Sequence, residues 1–307
     1  MIDIEQKREF KRKGFLVLDD VIDQSVVEEA RSEVWNALPC SPSEAPEELE
    51  GEGYSFINDI DNVTPFAEIR KSVFEVAEEL VGEDVLTPPE EPFEIPADLQ
   101  IPVNNPSSLP YKNAVARRIT SSHLDGYGMA FRDPSHEAQG TYRYYTLGAG
   151  IYIDDVKTGG GGFTVFPGSH WVVSEYFKTH SLESPGWKGI PPAIDDSGSV
   201  GQSKDNLLKT GGWDYRRRLD EQLIPHEITG PAGTVTLWHM KILHGNGVNH
   251  RPMPRIAAFT RYTHEEGDSI KRDVAGKPWA DMGELADIEA KLEENPVYQE
   301  SGFQTGT

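Results

Sequence analysis

Apolar positions keep a helical period in the first third of the chain and a strand period in much of the rest. Residues 3–13 are charged around Phe10 and stop at Gly14, which predicts a short helix. The unbroken run Phe15-Leu16-Val17-Leu18 predicts a buried strand. Ser25-Val26-Val27-Glu28 has the form of a capping box and opens a helix in which Val27, Ala30, Val34 and Leu38 share one face. Residues 41–51, acidic with Pro and Gly, predict a solvated loop. Thr64-Pro65 starts a helix with Phe66, Ile69, Val73, Val76 and Leu80 on one side, ending at Gly82. Seven prolines from Pro88 to Pro110 predict an extended wrap, neither helix nor central strand. Short β-type runs follow at Ala114–Thr120, Tyr142–Asp154, Gly162–Phe166, Gly233–Met240 and Arg255–Thr263, and Met282 to Glu294 reads as an amphipathic helix on Met282, Leu285, Ile288 and Leu292.

Helices first and strands later predict a mainly β fold with flanking helices, an antiparallel double sheet or jelly roll. One domain over 1–307 is expected, with helical support at 1–85, a β core over about 110–265 and a C-terminal helix over about 282–294. Residues 178–222 break the pattern. They are rich in Gly, Ser, Pro and Asp, carry Trp187, Trp213, Tyr215 and Arg216-Arg217-Arg218, and read either as a lid or as a solvated loop.

Charge narrows the partners. The net charge of −22, from 29 basic and 51 acidic residues, repels phosphate backbones and anionic lipid, so nucleic-acid and membrane-surface binding are not expected. Cys40 stands alone, which leaves no intrachain disulfide. No signal-peptide core is visible and no apolar run approaches about 18 residues. A cytoplasmic protein is the expectation.

The candidate chemistry begins in Ser121-Ser122-His123-Leu124-Asp125-Gly126. His123 and Asp125 stand two residues apart, so an extended strand turns both to one face. A neutral imidazole and a carboxylate on one face are two thirds of the two-histidine, one-carboxylate set that suits non-haem Fe(II). Alone the triplet is a weak signal in a chain with nine histidines, and it needs a third ligand. His239, His244 and His250 are the candidates. His239 shares the face of Val235 and Leu237 and reads as a packing residue; His250 stands in the polar turn Asn249-His250-Arg251-Pro252. His244 precedes Gly245-Asn246-Gly247, and Arg255 follows eleven residues later at the head of a strand. That places a ligand on one strand and a fixed cation on the next, so His244 is taken as the third ligand. Fe(II) held by three groups leaves positions that an α-keto acid can chelate. If the acid is 2-oxoglutarate, its far carboxylate needs a partner, and the planar fork of arginine suits it. Taken singly, Arg255 reads as an ordinary surface or ion-pairing arginine.

His123-Leu124-Asp125, then Gly159-Gly160-Gly161-Gly162-Phe163-Thr164-Val165-Phe166-Pro167-Gly168-Ser169-His170, then His244 with Arg255, resemble the phytanoyl-CoA dioxygenase family of Fe(II)/2-oxoglutarate oxygenases. The opening Phe10-Lys11-Arg12-Lys13-Gly14-Phe15-Leu16-Val17-Leu18 is similar as well. The resemblance covers roughly residues 8–38 and 115–265. It implies a double-stranded β-helix of cupin-like form. His123, Asp125 and His244 would be the catalytic metal ligands, and Arg255 would grip 2-oxoglutarate. The implied reaction hydroxylates an unactivated C–H of a small molecule with molecular oxygen, releasing succinate and CO2. The chain departs from the family in two places. Its Asp125-to-His244 interval is long, which fits the insertion at 178–222. Glycine stands at Gly150, near which several members carry a tryptophan beside the co-substrate.

Three rivals remain. A halogenase of the same fold needs a vacancy where Asp125 stands. A catalytically silent jelly-roll binding protein would have lost ligands that are all present. A zinc hydrolase leaves Arg255 without a task. The sequence names no substrate; if 178–222 is a lid, its three arginines favour an anionic one. His170 reads as part of a structural turn. Arg117 and Arg118 point to opposite faces, so at most one enters the pocket, and Tyr111 and Lys112 are further pocket candidates.

Overall fold

In the computed structural model, which describes residues 2–95, 98–108, 119–124, 144–179, 193–194, 200–201, 223–270, 274 and 276–289, α1 (Ile4–Lys13) and β1 (Phe15–Leu18) fall where the pattern puts them. The capping box belongs to α1. The Asp3 carboxylate accepts from Gln6 N–H at 2.8 Å, and the Gln6 side chain accepts from Asp3 N–H at 2.9 Å. The box expected at Ser25 is a correction. α2 (Gln24–Ala37) is capped by Asp23, whose carboxylate takes both Ser25 N–H (2.8 Å) and its hydroxyl (2.6 Å). The acidic stretch expected as a loop contains α3 (Ala45–Glu48), held by buried Ala45 and Leu49. β2 (Tyr54–Ile57) was not expected, and α4 (Thr64–Val81) was, with Pro65 in its first turn.

The remaining strands are β3 (Ile101–Asn104), β4 (Ile119–His123), β5 (Leu147–Tyr152), β6 (Phe163–Val165), the short pair β7 (Ala193–Ile194) and β8 (Val200–Gly201), then β9 (His226–Glu227), β10 (Val235–His239), β11 (His244–Gly247) and β12 (Arg255–Tyr262). Six form one antiparallel sheet in the order β1-β10-β5-β12-β3-β2, and four form a second in the order β4-β11-β6-β9. The fold is therefore the expected jelly roll, mainly antiparallel sheet with flanking helices.

Alternation divides the large sheet into two faces. Leu16, Leu18, Leu147, Ala149, Ile151, Val235, Leu237, Ile256, Ala258 and Tyr262 meet Val27, Ala30 and Val34 of α2 and Phe66, Ile69, Val73 and Leu80 of α4 in the outer core. Each of these larger side chains, once buried, contributes about 1.5–3 kcal/mol of transfer free energy. Phe15, Tyr152, Trp238 and Ala257 face the other way, onto Phe163 and Val165 of the small sheet, with Val17 and Phe259 packed alongside. The space between the sheets is where a jelly roll keeps its site.

Three expectations about segments need correcting. β3 is an inner strand despite Pro102, because β12 pairs with it only at Asn104 and Val103, so the missing Pro102 N–H breaks no bond on that side. Ser169, expected in a turn, opens α5 (Ser169–Thr179). After α6 (Gly267–Ile270), the C-terminal helix is short: α7 (Gly283–Asp287) buries Leu285, and Ile288 is already extended. Most of 178–222, including Trp187, Trp213, Tyr215 and Arg216 to Arg218, lies outside the described residues, as do Tyr111, Lys112, Arg117 and Arg118. Among the described residues no helix is long and apolar enough to cross a membrane.

Candidate active site

β11 brings His244 between the sheets. Its Cα partners are His123 on β4 and Val165 on β6, so two of the three expected metal ligands stand opposite each other in one cross-strand row. Facing residues of an antiparallel pair share a face of the sheet. His244 is buried, and its Nδ1 lies 2.9 Å from the Ile242 carbonyl, which can only accept. The proton is therefore on Nδ1, and the lone pair on Nε2, the nitrogen a metal would take. The ring packs on Phe163 (5.2 Å between centroids) and Trp238 (6.1 Å). Asp125, the expected carboxylate ligand, lies outside the described residues, and of His123 the backbone position alone is described.

Arg255 starts β12 and is 1% exposed, against the bland expectation of a surface arginine. Its Nε donates to Gly161 O (3.1 Å) and its Nη2 to Asn246 Oδ1 (2.6 Å). The guanidinium carbon lies 5.8 Å from the Phe259 ring centre and 5.9 Å from that of Tyr54. Nη1 is buried and has no hydrogen-bond partner among the described residues. A buried cation with an orphaned donor costs several kcal/mol unless an anion completes it. The residues present thus fit a carboxylate-bearing co-substrate at Arg255; for a metal, His244 is one donor, and among the described residues no group of three ligating side chains is assembled.

The glycine run explains itself here. Gly161 O also accepts from Asn104 Nδ2 (2.9 Å), and the same amide donates to Gly247 O (2.9 Å). Gly161 has φ 75°, and a Cβ there would fall 2.4 Å from Asn104 Nδ2 and 2.7 Å from Asn249 Cβ. Asn249 in turn donates to Asn104 O (3.0 Å) and Met253 O (2.8 Å), tying down the turn between β11 and β12.

A second pair of glycines shapes the floor. A Cβ on Gly148 would lie 2.1 Å from Trp238, and one on Gly150 would lie 2.6 Å from Phe259 and 3.4 Å from Trp238. The indole comes from β10, the neighbouring strand, and lies across the bare backbone of β5. It meets Phe163 at 4.6 Å and Phe259 at 5.7 Å, and its Nε1 donates to Tyr145 OH at 3.2 Å. A tryptophan at position 150 could not coexist with these rings.

His239 points to the outer face, as its alternation with Val235 and Leu237 predicts. Both ring nitrogens are occupied: Nδ1 accepts from Lys241 N–H (2.9 Å), and Nε2 donates to Pro278 O (2.7 Å). His170 sits beside it, 5.3 Å between rings, with Nε2 donating to Lys11 O (2.9 Å) and Nδ1 pressed on Gly14. Burial pushes His170 down to about 3 and His239 well below its usual value. The buried Lys241 amine, donating to Val274 O, is pushed down to about 8 by burial, against the pull of Asp281. This group is structural. His250 is half-buried in the turn, its N–H donating to Gly159 O (2.8 Å). Asn246, Trp238 and Asn104 were missed by sequence reasoning. The signal available was that Trp238 alternates with Leu237, and Asn246 with Gly245, onto the face that His244 occupies.

No family model matches the chain. A curated protein, the probable alpha-ketoglutarate-dependent hypophosphite dioxygenase of Stutzerimonas stutzeri, is 30% identical over 115 residues, 36% of this chain. That match spans 30% of the relative's own length. Among solved structures, the non-heme alpha ketoglutarate dependent carbocyclase SnoK from nogalamycin biosynthesis aligns over 88% of this chain and 90% of its own, with a TM-score of 0.50 and 16% identity. EctD from S. alaskensis with bound Fe aligns over 87% and 78%, with a TM-score of 0.49 and 19% identity. The likeness to the carbocyclase is one of fold.

Proposed function

We propose that this chain is an Fe(II)- and 2-oxoglutarate-dependent dioxygenase of the phytanoyl-CoA dioxygenase type, acting as one domain on a small anionic molecule. The observation that carries the reading is the buried Arg255 with its orphaned Nη1, fixed beside the strand of His244. An arginine held this way by Gly161 and Asn246 has a place prepared for one more acceptor. A zinc hydrolase or an empty binding barrel has no use for it. The curated relative supports the same co-substrate.

His123, Asp125 and His244 would hold the metal, which when bound supplies oxygen activation. The chain's own part is positional. The Ile242 carbonyl fixes the His244 tautomer, Arg255 sets the direction of the co-substrate, and Phe163, Trp238 and Phe259 keep that space free of water. The balanced reaction takes substrate, oxygen and 2-oxoglutarate to hydroxylated substrate, succinate and CO2. A C–H bond is the expected target. The name of the curated relative adds a second, the P–H bond of hypophosphite, with the same stoichiometry.

The test is a screen for succinate formation with Fe(II), oxygen, 2-oxoglutarate and candidate small anions, hypophosphite among them. Before it, anaerobic addition of Fe(II) and 2-oxoglutarate should give a weak visible metal-to-ligand absorption. Absence of that band, together with no measurable 2-oxoglutarate binding, would sink the proposal.

A further inference from the structure

We propose that Glu227 is a positioning residue for the co-substrate arginine, its carboxylate holding Arg255 through the single peptide group that joins Gly161 to Gly162. The inference deepens the oxygenase reading above and rests on it. Glu227 ends β9 at the edge of the four-stranded sheet, where it is the Cα partner of Thr164 on β6. Its half-buried carboxylate reaches the glycine run that precedes β6. Oε2 accepts from Gly159 N–H (2.8 Å) and Oε1 from Gly162 N–H (3.0 Å).

Gly162 N–H and Gly161 C=O are the two ends of one trans peptide group, so they point opposite ways. The N–H end donates to Glu227. The oxygen end accepts from Arg255 Nε (3.1 Å) and Asn104 Nδ2 (2.9 Å). A peptide unit carries a dipole of about 3.5 D, negative at the oxygen. Here the negative end meets a buried guanidinium and the positive end a carboxylate, so each charge strengthens the bond made by the other. A direct ion pair would occupy donors of the guanidinium. A pair linked through the backbone steadies the charge and leaves the Nη groups to Asn246 and the co-substrate.

The neighbouring groups keep this peptide from turning. Gly162 O accepts from Gly247 N–H (2.9 Å), the residue after Asn246. Phe163 N–H donates to Tyr152 OH (3.0 Å), and that hydroxyl donates to Ile228 O (2.6 Å), beside Glu227 in the chain. A Cβ on Gly162 would fall 2.3 Å from Ile228 O and 3.1 Å from Glu227 Cγ, so a bare backbone is what lets the carboxylate approach. Any acceptor could close a turn of glycines. What singles out Glu227 is that one of its two donors is the peptide that holds Arg255.

The experiment is a double-mutant cycle of Glu227→Gln and Arg255→Gln, with Glu227→Asp, one methylene shorter, as a second variant at the first position. 2-Oxoglutarate is titrated into anaerobic protein saturated with Fe(II), and urea unfolding is followed on the same four proteins without ligand. Glu227→Gln should weaken 2-oxoglutarate about tenfold, the low end for a bond to a charged group, with iron affinity unchanged. In the Arg255→Gln background the same change should matter less than about twofold. The urea midpoints should likewise be non-additive. Unchanged 2-oxoglutarate affinity in Glu227→Gln and Glu227→Asp, or an equal loss in both backgrounds, would mean that Glu227 only closes the turn. Wild type that binds no 2-oxoglutarate sinks the oxygenase reading; the unfolding cycle still decides the link itself, which coupling keeps and additivity overturns.

Discussion

His244 and His123 are Cα partners across β11 and β4, although 120 intervening residues separate them in the chain. That register is the simplest way for two distant histidines to share one ion, and it sets the first prediction. His123→Ala, Asp125→Ala and His244→Ala should each remove tight iron binding, measured by metal content after gel filtration, while circular dichroism stays near wild type. His239→Ala should keep its iron and lose about 2–4 kcal/mol of stability, since it empties a packed site and strands the Lys241 N–H. Loss of iron in His239→Ala with retention in His244→Ala would reverse the assignment.

Arg255→Ala removes one partner of a buried charge pair, which typically costs about 2–5 kcal/mol. By calorimetry 2-oxoglutarate should weaken by roughly 30-fold to several thousand-fold, with iron affinity much less changed. Asn246→Ala leaves Nη2 without its 2.6 Å acceptor. A hydrogen bond to a charged group is worth about 1.5–3 kcal/mol, so the same titration should show a loss of about 10- to 150-fold. Equal 2-oxoglutarate affinity in both variants and wild type would return Arg255 to a structural role.

The bare strand under Trp238 gives a test by compensation. Gly148→Ala would bring a methyl to 2.1 Å of the indole and should cost about 1–3 kcal/mol in urea unfolding. Trp238→Leu should relieve most of that cost when combined with it, a coupling of about 1 kcal/mol or more in a double-mutant cycle. Additive single effects would mean that the ring and the glycine do not share space.

Much of the fold around this candidate site was legible because alternation is a strong signal. Leu237 and His239 announce the outer face of β10, and the chain obeys them. What stayed hidden depends on contacts between strands far apart in sequence. Gly150 read as a departure from the family until Trp238 appeared across β5, filling the space from another strand. Asn246 stands between two glycines with nothing local to mark it, yet its side-chain oxygen holds Arg255. Local rules misled where a side chain found a better partner nearby. Asp23, not Ser25, caps α2, and Pro102 sits inside a sheet where the neighbour asks nothing of its nitrogen.

The buried pair His170 and His239 predicts acid sensitivity. Burial holds both neutral in the folded protein, below the unfolded value of about 6.5. The unfolded chain therefore takes up protons first as pH falls. The contribution of His170 is full above about pH 6.5 and declines towards pH 3, by about 1.4 kcal/mol per pH unit, and that of His239 declines in the same direction below pH 6.5. Asp281, whose carboxyl burial pushes up, acts with the opposite sign and offsets part of the loss. Urea midpoints should fall from pH 6.5 to 5, and His170→Phe should make the slope shallower. A flat profile over that range would contradict the neutral, buried state of the pair.

Arg255 belongs to the six-stranded sheet, while the groups that fix its Nε and Nη2, Gly161 and Asn246, stand on the chain of the four-stranded one. His244 rides with the second layer as well. The span that a chelating keto acid would have to bridge in the proposed function is accordingly a gauge of how the two layers sit on each other. Sliding one layer by a fraction of an ångström changes that span without breaking a strand pairing. Hydrostatic pressure, or a cavity cut into the core beneath β5, would then be felt as a loosened grip on the co-substrate well before the fold itself gives way.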